Sequence, residues 1–371
     1  MALSSSAPQA TSLIVSVLLI EITQTFRISI GEASQMIGFC SVLGIFTSLI
    51  MTLLAVRYSP THIHNVGLVL CVLSVLGSIV APSYSVFFLL YGLYIVGSKL
   101  VLPMTTTIMG GLFSGEERSK SLGVIFAGQA VFFVLGYLFV GFISEWRLAF
   151  AYFAAPFIVL SLLVALRVIP LIEVGGKGAS ISMGVRSIYR SRSAVFCLVS
   201  SSISGVWSVA LGLATSFYRD VHGIPLSTVT VLTAGMALLY AFGALAGGRF
   251  VYRLGMKKAN AFLRILMGVS LILLMGTGNT FFSVVMGFVL SLLSGANTPA
   301  GSGLRLGLVP EYKGSMMSLN SAAASLGSGL NLALMGYLMI SYGWATGGIV
   351  VGGLGIIGGV IIHLFVTENP D

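Results

Sequence analysis

Two cations, Lys99 and Arg305, stand inside long apolar runs of this 371-residue chain. Lys99 lies near the middle of the run Val86 to Phe113, and Arg305 lies within Phe281 to Val309. A cation at the centre of a bilayer costs about 2.5 to 3.5 kcal/mol on insertion scales, so each should face water, a partner group or a ligand. Thr106 shares the face of Lys99, and Asn297, Thr298, Gly301 and Arg305 form one polar stripe by helical spacing. Ser200, Ser204, Trp207 and Ser208 make a second small polar face with one aromatic wall. Serines so placed can equally bond neighbouring helices or their own backbone. Arg305 can also snorkel toward a helix end more easily than Lys99. Gln129, Phe133, Asn320 and Asn331 are lesser candidates for the same work.

The acids and metal-ligand types are sparse. Among the carboxylates only Glu21 falls near an apolar run, while Glu32, Glu145, Asp220, Glu116, Glu117, Glu173 and Glu311 fall in turns and Glu368 and Asp371 in the tail. A carrier that couples to protons needs a buried group that loads and unloads one. Here that is Glu21, alone or paired with Lys99, or a lysine that sheds its proton when desolvated; uncoupled or anion-linked transport is equally open. Cys40, Cys71 and Cys197 lie inside apolar runs without CxxC spacing and read as packing residues. His62-x-His64 has no cysteine or carboxylate beside it, so it reads as two titratable cations rather than a metal site. Neither a metal nor a cofactor is called for. An intramembrane enzyme would need a nucleophile with a base, or a metal cluster, at membrane depth, and the runs lack paired carboxylates and hold no histidine but His363, at the end of the last one.

The elements that must position these residues follow from composition. A chain that is 57% hydrophobic and 8% charged, with 46 glycines, reads as an all-α, multi-pass membrane protein whose first partner is a lipid bilayer. Apolar runs and turn signals give spans near Leu3 to Ile22, Ala33 to Val56, Val66 to Ala81, Val86 to Phe113, Leu122 to Ile143 and Ala149 to Ile169. After a polar, basic stretch come Ala194 to Phe217, Thr228 to Gly247, Ala259 to Gly276, Phe281 to Val309, Met316 to Ile340 and Thr346 to Phe365. The expected organisation is a six-helix bundle over 1–170, a central loop over 171–193 and a second six-helix bundle over 194–371, about twelve spans in all. The first span, polar at Ser4, Ser5, Ser6, Pro8, Gln9 and Thr11, is either a cavity-lining helix or one shortened at its N-terminus, and no cleavable signal peptide is expected. Within the central loop Ser180 to Arg192 reads either as a basic interfacial helix or as a plain linker.

The net charge of +9 is explained by topology rather than by a nucleic-acid partner. With a cytoplasmic N-terminus the inner turns hold Arg57, Arg118, Lys120, Lys177, Arg186, Arg190, Arg192, Arg249, Arg253, Lys257, Lys258 and Lys313, with Arg167 and Arg264 at adjoining helix ends. The outer turns hold only Arg27, Arg147 and Arg219, so both termini are expected in the cytoplasm and the protein in the cell membrane.

A displacement of 196 residues, the separation of Arg57 from Arg253 and of Pro103 from Pro299, superposes the two halves, and Trp146 answers Trp344. Two like-oriented halves of six spans are a parallel transporter repeat. The stretch Gly247 to Lys258 resembles the G-x-x-x-D-R-x-G-R-[RK] loop of the major facilitator superfamily, and Thr52 to Thr61 resembles its first-half copy. Glu116-Glu117-Arg118 and Pro310-Glu311-Tyr312-Lys313-Gly314 resemble that family's loops after the fourth and tenth helices. The resemblance spans essentially the whole chain. It implies a central cavity lined by the first, fourth, seventh and tenth helices, and a cytoplasmic lock between the halves.

The loop's acid is replaced here by Val56 and Tyr252, so the lock is expected to rest on Arg57, Glu116, Glu117, Arg118, Gly248, Arg253, Gly255, Lys257 and Glu311. The antiporter signature of the fifth helix is matched only by Gly136-Tyr137-Leu138-Phe139-Val140-Gly141, without its proline, which gives little support for drug and proton exchange. The function implied is transport of a small organic solute by alternating access, with an anionic solute suggested by Lys99 and Arg305. Efflux of amphipathic drug-like compounds and a transporter-like sensor are the alternatives. The glycines from Gly343 to Gly359 read as internal helix packing, and the chain is expected to act as a monomer.

Overall fold

The computed structural model describes residues 1–28, 30–143, 145–170 and 181–367. The expectations that fell on Glu173, Lys177, Ser180, Glu368 and Asp371 lie outside the described residues. Among those described there is no strand, and the helices make twelve passes. Ten are long and apolar enough to cross a membrane. Of the other two, the second pass (Ile30–Leu54) is apolar over Val42–Leu54, and the first is broken into Ala2–Ser6, Gln9–Val17 and Leu19–Phe26. The first pass runs from Ala2 to Phe26 in these three pieces, with Ser4, Ser5, Ser6 and Thr11 buried inside the bundle. Pro8 explains the first break, since it has no N–H to give to the preceding turn.

The remaining first-half passes are Pro60–Ile79, Tyr84–Leu112, Gly115–Phe142 and Trp146–Val168. The seventh pass is broken like the first, into Arg192–Ile203 and Val206–Asp220, and the eighth to twelfth are Leu226–Leu254, Met256–Gly276, Thr280–Leu308, Lys313–Tyr342 and Trp344–Phe365. The second, third and fourth passes start at Ile30, Pro60 and Tyr84; the eighth, ninth and tenth start at Leu226, Met256 and Thr280, each 196 residues later. The fourth and tenth also end at matching positions, Leu112 and Leu308, and each carries a proline inside its helix. The indole of Trp146 donates to Thr25 at 3.0 Å, and that of Trp344 to Asp220 at 2.7 Å, so each tryptophan ties a last pass of its half to the first.

Hydropathy alone clips the helix ends that carry charge. The eighth pass runs on to Leu254 instead of stopping at Gly247, and the reversal is confined to Gly255, whose φ of 84° suits glycine. Most of the cationic stretch read as a turn is thus helix. The third pass likewise begins at Pro60, six residues before the apolar run, which puts His64 inside a helix, fully buried, with Nε2 unpaired. His64 is therefore not a surface cation. Part of the central loop, Ile181–Arg190, is helix, with Ile188 buried and Arg186 and Arg190 exposed.

The largest core of the first half surrounds Phe87, Tyr94, Trp146 and Phe150, and the second half has cores around Cys197 and Leu304 and around Val209 and Leu271. A further cluster joins the halves through Met109, Leu122, Phe126, Ala244, Leu306 and Met317. It lies at the end of the bundle that bears Arg118, Arg253, Lys257 and Lys313, called the basic end below. Leu89, Val231 and Phe281 are exposed on the outside, as a lipid-facing surface requires.

Candidate functional site

The fourth pass carries Lys99 to the boundary between the halves. Its Nζ donates to Ser325 Oγ on the eleventh pass at 2.9 Å. Gly44 on the second pass leaves room for the chain, since a Cβ there would come 3.0 Å from Lys99 Cε. No carboxylate pairs with Lys99 among the described residues. Glu21 is not its partner: no ion pair links them, and Glu21 Oε2 is buried without a hydrogen bond. Thr106, on the same helix, is buried and turned onto its own backbone, donating to Leu102 O at 3.3 Å and Pro103 O at 2.8 Å. Pro103 offers no donor to the preceding turn, so the helix beside Lys99 has an unusually free carbonyl edge.

On the seventh pass the helix gives way at Ser204 and Gly205 without a proline. A Cβ at Gly205 would meet Asn331 Cβ at 2.6 Å, so the eleventh pass packs directly on the break. Asn331 Nδ2 donates to the exposed carbonyl of Ile203 at 2.9 Å and to Gly327 O at 2.8 Å, taking the place of the lost helical donor. Beyond the break, Trp207 stacks on Tyr240 with ring centroids 5.0 Å apart, and Tyr240 hydrogen-bonds Thr298 at 2.8 Å. Ser208 bonds Ser328 at 2.7 Å. Trp207 and Thr298 thus meet through Tyr240 of the eighth pass, Ser208 meets the eleventh, and Ser204 lies at the break, its Cβ 3.3 Å from where a Cβ on Gly358 of the twelfth would stand.

Arg305 and Asn297 belong to a third group, one that sequence reasoning only half found. Arg305 is 9% exposed and its Nη2 donates to Ser201 Oγ at 3.3 Å. Arg264, expected at a helix end, is instead buried at 7% exposure inside the ninth pass. Its Nη1 donates to Ser200 Oγ at 2.8 Å and Ser200 O at 3.1 Å. The five residues between Lys258 and Arg264 read as a helix end, but with the turn confined to Gly255 they carry Arg264 well into the bundle. Ser201 in turn donates to Asn320 at 2.8 Å, and Asn260 to Asn297 at 2.8 Å. Gly301 admits this cluster: a Cβ there would lie 2.8 Å from Asn260 Nδ2 and 3.0 Å from Arg305 Nη1.

At the basic end the halves meet through backbone and small residues. A Cβ on Gly248 would lie 2.8 Å from Ser119 O, and one on Gly123 would lie 2.5 Å from Ala244 O, so the fifth and eighth passes cross at glycine. Lys313 donates to Gly110 O and Ser315 to Thr52 O, both at 2.7 Å, and Ser48 approaches Ser321 at 3.4 Å. With Lys99 to Ser325, these hydrogen bonds join the halves between the basic end and mid-depth. Of the residues expected in a lock, Arg57, Glu117, Arg253 and Glu311 are exposed. Glu116 pairs with Lys120 on its own helix at 2.8 Å, Arg118 is buried, Gly255 forms the turn and Lys257 is half-buried beside it. Among the described residues no group of three His, Cys, Asp or Glu could hold a metal ion.

The family model described as the Major Facilitator Superfamily matches residues 2–230 and 194–371. Solved structures similar to this chain include the human organic anion transporter MFSD10 (TETRAN), at 15% identity, 97% coverage of each chain and a TM-score of 0.73. A bacterial homologue of the iron transporter ferroportin, in an outward-facing state, is 15% identical over 98% of this chain and 96% of its own, with a TM-score of 0.80. The E. coli fucose:proton symporter FucP is 13% identical over 99% and 98%, with a TM-score of 0.81.

Proposed function

This chain belongs to the major facilitator superfamily, and from that premise we propose that it is a secondary transporter that moves a small organic anion by alternating access. The observation that supports the anionic substrate is Lys99: a cation at mid-depth on the boundary between the halves, held by Ser325 of the other half and unpaired with any carboxylate among the described residues. A carboxylate-bearing solute arriving there supplies the missing charge and competes for the ammonium against the serine. The Trp207 and Tyr240 stack beside the broken seventh pass gives the solute's carbon skeleton an apolar wall.

In this reading the rocking units are 1–170 and 194–371, joined by the segment 171–193. With the basic end in the cytoplasm, as the distribution of cations argues, the contacts through Gly248, Lys313 and Ser315 close the inner side, and the site opens outward. On the same reading Arg305, Asn297 and Asn320 stand behind the path rather than beside Lys99, while Glu21, half-buried with its Oε2 shielded and free of hydrogen bonds, is the group for proton coupling.

The test is uptake into proteoliposomes of a panel of organic acids, sugars and cationic amphiphiles at two pH values, with Lys99→Ala and Ser325→Ala beside the wild type. Uptake of carboxylates that falls at least tenfold in Lys99→Ala is expected. Carboxylate transport unchanged by that substitution, or transport of cationic amphiphiles alone, overturns the reading.

A further inference from the structure

The second half buries two guanidiniums with no acid beside them among the described residues. Arg264 and Arg305 are held by consecutive residues, Ser200 and Ser201. Both are more than nine-tenths buried, and the Nε of each is a buried donor with no hydrogen bond. Among the described residues neither forms a salt bridge. Every neighbour so far named is neutral: Ser200, Ser201, Asn260, Asn297, Gly301 and Asn320. Two like charges in a low-dielectric interior, each with an unmet donor, are a strongly unfavourable arrangement unless something negative lies with them.

Gly301 lets the polar groups close in: a Cβ there would stand 2.8 Å from Asn260 Nδ2 and 3.0 Å from Arg305 Nη1. Asn260, fully buried, keeps its Oδ1 unpaired as well. An ideal occupant therefore accepts hydrogen bonds from two guanidinium Nε–H groups and also donates one. A halide accepts but cannot donate. An oxoanion that retains a hydroxyl, of the hydrogen phosphate or bicarbonate type, does both.

We propose that Arg264, Arg305 and Asn260 form a binding site for a small hydroxyl-bearing oxoanion inside the second half, separate from the path at Lys99. All of its residues come from passes seven, nine, ten and eleven, so the anion travels with its half as a resident counter-ion and not between the halves as cargo. The inference does not rest on the identity of the transported solute.

The experiment uses the full chain purified in detergent and exchanged into a buffer free of phosphate, bicarbonate and chloride. Phosphate, bicarbonate, sulfate and chloride are then added singly at equal ionic strength, and the unfolding temperature is followed by tryptophan fluorescence. Phosphate or bicarbonate is expected to raise it by several degrees, with chloride well behind. Arg264→Gln and Arg305→Gln should each lose that rise, and Lys258→Gln, an exposed cation on the same ninth pass, should keep it. Should the glutamine variants fail to fold, Gly301→Ala retains both charges while displacing the Asn260 amide and the Arg305 guanidinium, and equilibrium dialysis of radiolabelled phosphate against wild type and Gly301→Ala reads binding directly. Bound phosphate in the wild type and its loss in Gly301→Ala are expected. The inference is overturned by an absence of anion-specific stabilisation, by chloride matching phosphate, or by a phosphate effect that survives in both glutamine variants. Uptake of organic acids by the same preparations reports on Lys99 independently, so the two readings fail separately.

Discussion

The two halves place a serine triplet at the same point of the repeat and use it differently. Ser4, Ser5 and Ser6 stand 196 residues before Ser200, Ser201 and Ser202, each just ahead of the break in the first pass of its half. In the first half all three hydroxyls fold back onto the carbonyls of Met1 and Ala2. In the second, Ser200 and Ser201 receive Arg264 and Arg305 and pass their own protons to Gly358 O and Asn320. The positions matching the two arginines in the first half are Leu68 and Met109, both buried and apolar. Asn260 is matched by His64, which is buried too. A shared scaffold needs no buried charge, since the first half stands without one at these places. The buried arginine pair of the second half is therefore not required by the scaffold, which accords with the anion site proposed there in addition to Lys99.

The sharpest way to break the comparison is to give the first half the second half's charge. Leu68→Arg puts a guanidinium at the centre of the third pass, where Val101 and Ala165 pack against it and no serine waits. A cost of about 2.5 to 3.5 kcal/mol is expected at such a position, read as a loss of monodisperse protein and a lowered unfolding temperature. Arg264→Leu, the reverse exchange, should cost far less once the anion is withheld. Equal tolerance of both would mean that the halves do not differ in polarity as described.

Next in size is the closure at the basic end. Gly248→Val drives a side chain toward Ser119 O, 2.8 Å from the built Cβ, and overpacking of this kind typically costs about 1 to 3 kcal/mol. The closed state should lose population, seen as longer distances between spin labels on the fifth and eighth passes. The two breaks give a smaller contrast. Asn331→Ala strips the Ile203 carbonyl of a donor at 2.9 Å, for which about 1 to 3 kcal/mol is expected, because a buried acceptor is left unpaired. In the first half Gln129 reaches Ser5 O only at 3.4 Å, so Gln129→Ala should cost about 0.5 to 1.5 kcal/mol. Chemical denaturation of the two variants side by side checks the order.

The spans and the repeat were legible because apolar length and a displaced motif survive any rearrangement of side chains. Three things were not. The cationic stretch before Gly255 reads as a loop by charge, yet its residues continue the eighth helix, because Gly248 must lie against the fifth pass. Arg264 then reads as a helix-end cation, since hydropathy counts residues from the wrong turn. The break at Ser204 and Gly205 carries no proline, and it becomes visible only when Asn331 is seen to bond the carbonyl it exposes. The serine triplet was within reach, as the displacement that aligns Arg57 with Arg253 also aligns it. Lys99, Arg305 and the polar faces were found by their cost at membrane depth, but only coordinates could divide them into three groups.

Arg57 and Arg253 test the comparison where the halves agree. They occupy matching positions, both are exposed, and neither side chain makes a hydrogen bond or ion pair among the described residues. The family resemblance assigns such arginines to a lock between the halves, but in this conformation the halves touch through Gly248, Gly123, Lys313 and Ser315 instead. An exposed ion pair is worth about 0 to 1 kcal/mol at best, and an unpaired surface cation less. Arg57→Gln and Arg253→Gln should therefore each shift stability by no more than about 0.5 kcal/mol. The spin-label distances that lengthen in Gly248→Val should stay at their wild-type values. If Arg253→Gln opened the basic end as far as Gly248→Val does, closure would be ionic, and the close approach of backbones would be its consequence rather than its cause.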